Sequence, residues 1–427
     1  MRRHHRRRAT GVRSGGVVVT GARGPAGVEV APLFPILDSL RAVGALAVLT
    51  THVAFQSGAY VRNGSWGDLL SRLDVGVAIF FVLSGFLLSR PHFARRMVDA
   101  PPPPMGRYYW KRLLRIYPVY AVTVVLALTL IPENRSASAA QWIRSLSLTD
   151  IYLEGALPQG LTQMWSLSVE VSFYLILPLL MLLVLGRAPR PLRPARVALV
   201  LLALVVLSSW WHLHLVSVVG ERSEGNPALW LPAYLSWFAV GLALALADVL
   251  RQARRPRRAP GPATRLLEAL EGSPGVCWAL ALGLMLVAST PLAGPTLLYV
   301  ATDVEALTKS VLYAAVGGLV VISGLRPPAT GSYARVLSAR LPRHLGHVSY
   351  SVFCLHLPTL YLVMEGIGFP LFGGNTWQIW VLTVVLSLAA SEVAYRSVEL
   401  PALRLRNLGR RSSTSAPRTR QSETTTR

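Results

Sequence analysis

An arginine and a histidine interrupt the first long apolar stretch of the chain, LDSLRAVGALAVLTTHVAF. Arg41 and His52 lie eleven positions apart, which in an α-helix puts them about 20° apart on one face and about 16 Å apart along the axis. Histidine is the usual general base near neutral pH, and a buried cation can stabilise an oxyanion. The spacing therefore predicts one polar, chemically active stripe along a helix in the membrane.

Burying such groups in a bilayer is costly, by about 3 kcal/mol or more at its centre, so each one is a candidate for function. Asp38 lies three positions before Arg41 and can pair with it. The alternative is a polar seam that only joins helices. The shared face of Arg41 and His52 favours a functional site over that alternative.

Two further arginines, Arg112 and Arg115, lie in the basic segment YYWKRLLRIYPVY at the predicted membrane surface. Residues three apart share a helix face, and two planar guanidinium groups there suit a phosphate or diphosphate ligand. The usual excess of positive charge in cytoplasmic segments explains much of the same pattern. Phosphate binding and topology are both open interpretations of this pair.

Other polar residues also lie within apolar stretches. Glu170 opens one of them, and interfacial anchoring beside Trp165 is the alternative to a functional role. His356 lies inside another stretch, HVSYSVFCLHLP, and is a candidate by the same argument. Ser84 and Gly85 indicate a close contact between helices rather than chemistry.

The apolar stretches predict the elements that hold these residues. A helix needs roughly 20 apolar residues to cross a hydrocarbon core of about 30 Å, and helix breakers mark the connections. We therefore expect an all-α, polytopic membrane bundle of about ten transmembrane helices. The second and third are short, and tilted, half-buried and flank-extended helices are the open alternatives for them. The predicted spans are 36–56, 75–90, 116–131, 165–186, 197–216, 229–248, 276–292, 306–325, 346–364 and 377–395.

The positions of the basic residues predict how the spans are oriented. With the N-terminus inside, the inner segments hold 36 of the 43 Lys and Arg, and the outer loops carry acids instead. Cytoplasmic loops of membrane proteins hold Lys and Arg in excess. We therefore expect both termini in the cytoplasm, Arg112 and Arg115 at the inner face, and His52 near the outer end of its span.

Composition excludes several other classes. The chain is 52% hydrophobic and 15% charged, whereas soluble domains carry about 25% charged residues. The net charge of +23 follows from topology, so we expect no nucleic-acid partner. The only cysteines, Cys277 and Cys354, build neither a disulfide framework nor a CxxC metal site. We expect a membrane domain at 35–401 between disordered basic cytoplasmic tails at 1–34 and 402–427.

Six motifs follow one another in order from Leu37 to about Pro401. They are R-x10-H at Arg41 and His52, FFVLSGFL at Phe80 to Leu87, R-x-x-R at Arg112 and Arg115, WSLSVE at Trp165 to Glu170, SYSVFCLH at Ser349 to His356, and VELP at Val398 to Pro401. Each is weak alone, but six in this order are specific. The chain resembles the acyltransferase 3 family, the OafA-type membrane O-acyltransferases.

The resemblance implies a ten-helix enzyme that moves an acyl group from a cytoplasmic acyl-CoA to a hydroxyl. In the family, the arginine and histidine of R-x10-H are required for activity, which assigns catalysis to Arg41 and His52. R-x-x-R is linked to the acyl donor, which assigns donor binding to Arg112 and Arg115. Whether His52 activates the acceptor or first receives the acyl group is open.

Within the remaining motifs we assign substrate binding to Glu170, Tyr350 and His356. The chain departs from the family at two positions. An acid often follows GV in the family where this chain has Ala78, and a tyrosine often stands where it has Phe353. A role for that tyrosine hydroxyl is therefore absent here.

We therefore expect an integral membrane O-acyltransferase of the bacterial plasma membrane that moves an acyl group, with acetyl expected. Acyl-CoA is the expected donor substrate, and a carbohydrate or an exported or secreted metabolite is the expected acceptor. We expect membrane lipid to surround the protein, and we expect no permanently bound cofactor. We expect no appended soluble SGNH-type domain of the kind some family members carry. The competing hypotheses are a transporter or flippase for a glycan or lipid-linked substrate, and a sensor or scaffold without a reaction.

Overall fold

The computed structural model describes residues 28–30, 32–186, 191–253, 259–296 and 300–407. Helices are the regular elements of these ranges, which contain no strand. The predicted all-α class is therefore confirmed. Most of the two predicted tails, residues 1–27 and 408–427, lies outside the described residues.

Ten helices in the described ranges correspond to the ten predicted spans. Helices are the expected solution, because a bilayer offers no hydrogen-bond partner to an exposed backbone. They are α1 (Pro35–Gln56), α2 (Gly76–Met97), α3 (Met105–Leu130), α4 (Trp165–Leu185), α5 (Pro194–Trp210), α6 (Leu231–Gln252), α7 (Pro274–Ala288), α8 (Asp303–Leu325), α9 (Arg340–Ile367) and α10 (Thr376–Ala394).

Within the part of the chain that the structure describes, nine helical segments are long and apolar enough to cross a membrane. One of them is α5, which continues through a π-helical turn to Gly220. The number is ten if the bent pair, in which the helix Pro262–Gly272 meets α7 at 96°, is counted as one span. The prediction of about ten spans is confirmed, with this bent pair as the seventh.

The second and third helices are longer than predicted. α2 runs through Pro91, and α3 begins at Met105, so the segment that contains Arg112 belongs to a helix and not to a loop. The hydropathy signal stops at Arg90, but that charge is neutralised in the folded chain because its Nε lies 2.7 Å from a carboxylate oxygen of Asp248. Of the alternatives open for these two short spans, extension by flanking residues is the one found, in helices of 22 and 26 residues.

Alternate loops gather at the same end of the bundle. Beyond the C-terminus of α1, the Gly374 N–H donates to the Ser57 carbonyl at 2.9 Å, and the Asn226 N–H donates to the Ile151 carbonyl at 2.9 Å. We call this the His52 end. These loops are the ones that the distribution of Lys and Arg predicts to lie on one side of the membrane.

The remaining connections meet at the opposite end, which we call the Arg41 end. There the Ser39 hydroxyl donates to the Leu337 carbonyl at 2.6 Å, and the Trp110 indole donates to the Leu405 carbonyl at 3.2 Å. The predicted alternation of loops is thus present in the fold. The cytoplasmic location of the Arg41 end stays a prediction.

The helix α1 lies against α2 and α9 at very short range. A Cβ atom at Gly76 would collide with the carbonyl of Gly44, and one at Gly346 would collide with the carbonyl of Asp38. Only glycine allows backbones to approach this closely. These two contacts hold α1, which carries Arg41 and His52, in a fixed position between its neighbours.

A buried ionic group joins α2, α6 and α8 at the Arg41 end, and we call it the Asp248 cluster. The Asp248 carboxylate is fully buried and binds Arg90 at 2.7 Å and Arg326 at 2.5 Å. Arg251 lies 3.6 Å from it and also forms two hydrogen bonds with Glu271. Each of these arginines therefore has a carboxylate partner.

Candidate functional site

A cavity of about 190 Å³ lies between α1, α2, α3, α4 and α9, towards the Arg41 end. We call it the Arg41 cavity. Five of the seven residues predicted for the site line it: Arg41, Arg112, Arg115, Glu170 and Tyr350. They come from four different helices, which the fold brings together around this cavity.

Arg115 is the arginine of this cavity that is held most firmly. Its guanidinium binds the carboxylate of Glu399, which is fully buried and also accepts a hydrogen bond from Ser351 at 3.0 Å. The guanidinium lies 5.8 Å from the centre of the Tyr350 ring. The Tyr350 hydroxyl donates to the Ile116 carbonyl at 2.7 Å. Arg115 is thus a fixed positive charge.

Sequence reasoning missed Glu399. It lies in the VELP motif, so a signal was present, but its partner Arg115 is 284 positions away in the chain. The residue follows α10 in a π-helical turn, Tyr395–Glu399, which brings the carboxylate to α3. Its buried position makes it a support for Arg115.

Arg112 and Arg41 are held less closely. Among the described residues Arg112 has no ion pair, its Nε atom has no hydrogen bond, and its guanidinium lies 5.8 Å from the centre of the Tyr174 ring. The nearest carboxylate oxygen to Arg41 belongs to Asp38, at 4.0 Å. The guanidinium groups of Arg112 and Arg41 therefore have N–H groups that can form hydrogen bonds with a ligand.

Glu170 is part of a hydrogen-bonded network and not a simple interfacial anchor. Its carboxylate accepts from the Ser84 hydroxyl and, at 2.5 Å, from the Tyr174 hydroxyl. Tyr174 lies one helical turn after Glu170 and also lines the cavity. Ser84, which the sequence suggested as a mere packing contact, thus joins the cavity wall.

A second and larger cavity, of about 940 Å³, lies at the His52 end. We call it the His52 cavity. His52 lines it, partly exposed to it, and has no hydrogen bond to any described residue. Its ring nitrogens are therefore available to a molecule in the cavity.

His356 lies directly behind His52. The two ring centres are 5.4 Å apart, and His356 is fully buried. Its Nδ1 lies 3.1 Å and 2.8 Å from the carbonyl oxygens of Val352 and Phe353. Because carbonyls only accept, Nδ1 carries the proton and Nε2 is an acceptor, which has no partner among the described residues. His356 can therefore orient or receive a proton from the His52 side.

Hydroxyl groups surround the rest of the His52 cavity. The Tyr60 hydroxyl donates to the Thr51 carbonyl at 2.9 Å. Burial raises the pKa of Tyr60 well above its usual value, so that this hydroxyl stays protonated. Near the mouth the Gln56 amide donates to the Tyr361 hydroxyl at 3.0 Å. The cavity thus offers both donors and acceptors to a polar molecule.

Val77 and Phe353 line both cavities and form the wall between them. Arg41 and His52 lie on one face of α1, as predicted, but they face different cavities on either side of this wall. The geometry therefore divides the predicted site into two parts. Arg41 lies with the arginines of R-x-x-R, and His52 lies with His356.

The model of the acyltransferase 3 family, described as an acyltransferase domain, matches residues 34–396, which is most of the chain. The chain belongs to this family. The resemblance drawn from the six motifs is thereby confirmed, together with the expectation that the chain belongs to an acyltransferase class that moves groups other than amino-acyl groups. No solved structure matches it significantly.

Three curated relatives are similar to the chain. The peptidoglycan O-acetyltransferase OatA of Listeria monocytogenes is 23% identical over 383 residues, which cover 86% of this chain and 55% of the relative. The O-acetyltransferase OatA of Staphylococcus aureus is 30% identical over 171 residues, which cover 36% and 25%. The acyltransferase MdmB of Streptomyces mycarofaciens is 31% identical over 157 residues, which cover 34% and 38%. The chain thus spans about half or less of each relative.

Proposed function

We propose that the protein is a multi-pass O-acyltransferase of the bacterial plasma membrane that transfers an acyl group, in particular acetyl, from acyl-CoA to a hydroxyl. The observation that best supports this function is the pair of cavities at opposite ends of α1. Three arginines at one end suit the phosphates of CoA, and a histidine at the other suits a hydroxyl acceptor. The charge distribution of the loops supports a cytoplasmic Arg41 end.

The Arg41 cavity is the donor side in this proposal. At about 190 Å³ it holds the thioester end of the donor and leaves the nucleotide towards the cytoplasm. Arg112 and Arg41 have free donor groups that can bind phosphate oxygens in charge-assisted hydrogen bonds. Arg115 adds a fixed positive charge, which Glu399 keeps in place.

The transfer step takes place where the thioester reaches the His52 cavity. The acceptor oxygen forms a bond to the thioester carbon, and the bond from that carbon to sulfur breaks. A ring nitrogen of His52 takes the hydroxyl proton and passes it to the leaving thiolate. His356 lies behind His52 as a positioning residue. In this scheme Arg41 acts on the donor, because about 16 Å along α1 separates it from His52.

The acceptor we propose is a carbohydrate or an exported metabolite with a free hydroxyl. A volume of about 940 Å³ accommodates a sugar unit or a larger molecule, and Trp165 and Tyr361 offer aromatic faces. The described lining contains Asp74, Glu133 and Glu365 but neither Lys nor Arg, which disfavours strongly acidic acceptors. The printed name of the Listeria relative, a peptidoglycan O-acetyltransferase, supports a glycan.

Transport is a weaker candidate. A transporter or flippase needs its binding cavity to pass a glycan or a lipid-linked head group. The Arg41 cavity is too small for either, and Val77 and Phe353 separate it from the His52 cavity. The arginines would also have no function in a glycan path. These observations favour an enzyme.

The direct test is His52→Ala in permeabilised membrane vesicles given labelled acetyl-CoA, with native membranes and culture extract as the source of acceptor, so that both ends of the bundle are accessible. Loss of a general base lowers rates by about 10²–10⁴-fold, so we expect label transfer to fall at least 100-fold. His214→Ala is the matched control, because His214 is exposed and lines neither cavity. Full transfer by His52→Ala would contradict the proposal.

A further inference from the structure

The wall between the two cavities is built from apolar side chains of three helices. Val77 of α2 and Phe353 of α9 line both cavities, and Val48 of α1 lines the His52 cavity. All three side chains are nearly buried, with 2%, 5% and 6% exposure for Val48, Val77 and Phe353. Val48 lies on the same face of α1 as Arg41 and His52. The wall thus closes the direct line between the arginines and the histidine.

The aromatic ring of Phe353 is the largest part of this wall. Its centre lies 5.9 Å from the ring of Phe80, which lines the Arg41 cavity, and 6.0 Å from the ring of His356. Phe353 therefore lies between a residue of the donor side and the histidine pair. A small rotation of this ring changes the width of the passage.

The backbone around the wall cannot move apart easily. Gly76, next to Val77, touches the carbonyl of Gly44 on α1, and Gly346 of α9 touches the carbonyl of Asp38. Close-packed helices shift only at a cost, because interiors are packed as densely as crystals. The width of the passage is therefore set by side chains and not by separation of the helices.

We propose that Phe353, with Val48 and Val77, selects the acyl group by size, so that acetyl passes and longer chains are excluded. This inference rests on the proposed function, because the acyl group must cross the wall to reach His52. An added methylene that does not fit an apolar passage changes discrimination by about 10–200-fold. The same apolar wall separates the thioester from water in the His52 cavity.

The test compares transfer from labelled acetyl-, propionyl- and butyryl-CoA in the vesicle assay described above. The quantity measured is the ratio of butyryl to acetyl transfer, which does not depend on the amount of folded protein. We expect a low ratio for the wild type and an increase of about tenfold or more for Phe353→Ala, with Phe353→Leu intermediate. Val77→Ile narrows the passage, and we expect it to lower acetyl transfer.

The matched control is Phe93→Leu. Phe93 is also fully buried in α2 but lines neither cavity, so we expect the wild-type ratio. An unchanged ratio in Phe353→Leu, or an equal rise in Phe93→Leu, would overturn the inference. Equal transfer of butyryl and acetyl by the wild type would overturn it as well. If the wild type transfers no acyl group from any donor, the proposed function itself fails.

Discussion

Two groups of arginines lie at the same end of the bundle, and they differ in how their charges are balanced. In the Asp248 cluster every arginine lies within 3.6 Å of a carboxylate. In the Arg41 cavity only Arg115 has such a partner, and Arg112 has none among the described residues. The first group is complete without a ligand, whereas the second leaves donors directed at an open space.

The contrast distinguishes arginines that stabilise the fold, which are paired with carboxylates, from arginines that can bind a ligand, which have unpaired donors beside a cavity. A buried carboxylate with several partners is costly to break, because the remaining charges stay uncompensated. A cation without a partner beside a cavity stabilises nothing in the empty protein. The Asp248 cluster should therefore control stability, and the Arg41 cavity should control donor affinity.

The largest effect is expected from Asp248→Ala, which leaves three arginines without their common partner. Removing one member of a buried ion pair costs about 3–5 kcal/mol, so the variant should lose most of its folded yield and show a strongly lowered Tm in detergent. Glu392→Gln is the control, because the ion pairs of Glu392 are partly exposed and worth about 0–1 kcal/mol. An equal Tm for Asp248→Ala and Glu392→Gln would show that the Asp248 cluster does not control stability.

An intermediate effect is expected from Arg112→Ala. Hydrogen bonds to charged groups contribute about 1.5–3 kcal/mol, so the Kd for acetyl-CoA should rise about tenfold to a hundredfold. The Tm should stay that of the wild type, because no ion pair is lost. Arg107→Ala is the control, since Arg107 is exposed on the same helix and lines neither cavity. The same loss of affinity in both variants would indicate a general charge effect and not a site.

The smallest effect is expected from Tyr350→Phe, which separates support from binding within the Arg41 cavity. The hydroxyl is already bonded to the Ile116 carbonyl, and a typical hydrogen bond contributes about 0.5–1.5 kcal/mol. We expect a slightly lower Tm and an unchanged Kd for acetyl-CoA, because the ring remains beside Arg115. A tenfold weaker Kd would instead show that the hydroxyl contacts the donor.

The sequence predicted the spans and the alternation of loops, because hydropathy and charge are properties of neighbouring residues. It also placed Arg112 and Arg115 together on one helix face, but it grouped Arg41 with His52 and did not predict that Arg41 lines a cavity with the other two arginines. It could not predict the partner of Arg115, since Glu399 reaches it only through the packing of α3 against the turn after α10. The division into two cavities likewise depends on Phe353, which the sequence marked only as a position where the family often has tyrosine.

The true end of the second span depends on a contact between distant parts of the chain. Arg90 reads as the end of a membrane segment, because a lone charge does not belong in lipid. In the folded chain its partner, Asp248, comes from a helix 158 positions later. Local hydropathy contains no information about such a partner, so helix ends that depend on tertiary pairing are lost.

The close contacts of α1 at Gly76 and Gly346 hold this helix in place, so the spacing of R-x10-H fixes the distance between Arg41 and His52. Because the helix cannot slide, the distance between the donor side and the acceptor side equals the rise of eleven residues. One inserted residue would turn His52 by about 100° away from its cavity and displace it by only about 1.5 Å. Substitution of lining side chains can therefore change the shape of either cavity freely during evolution. The spacing between Arg41 and His52 can grow only by whole helical turns, because other insertions turn His52 away from its cavity.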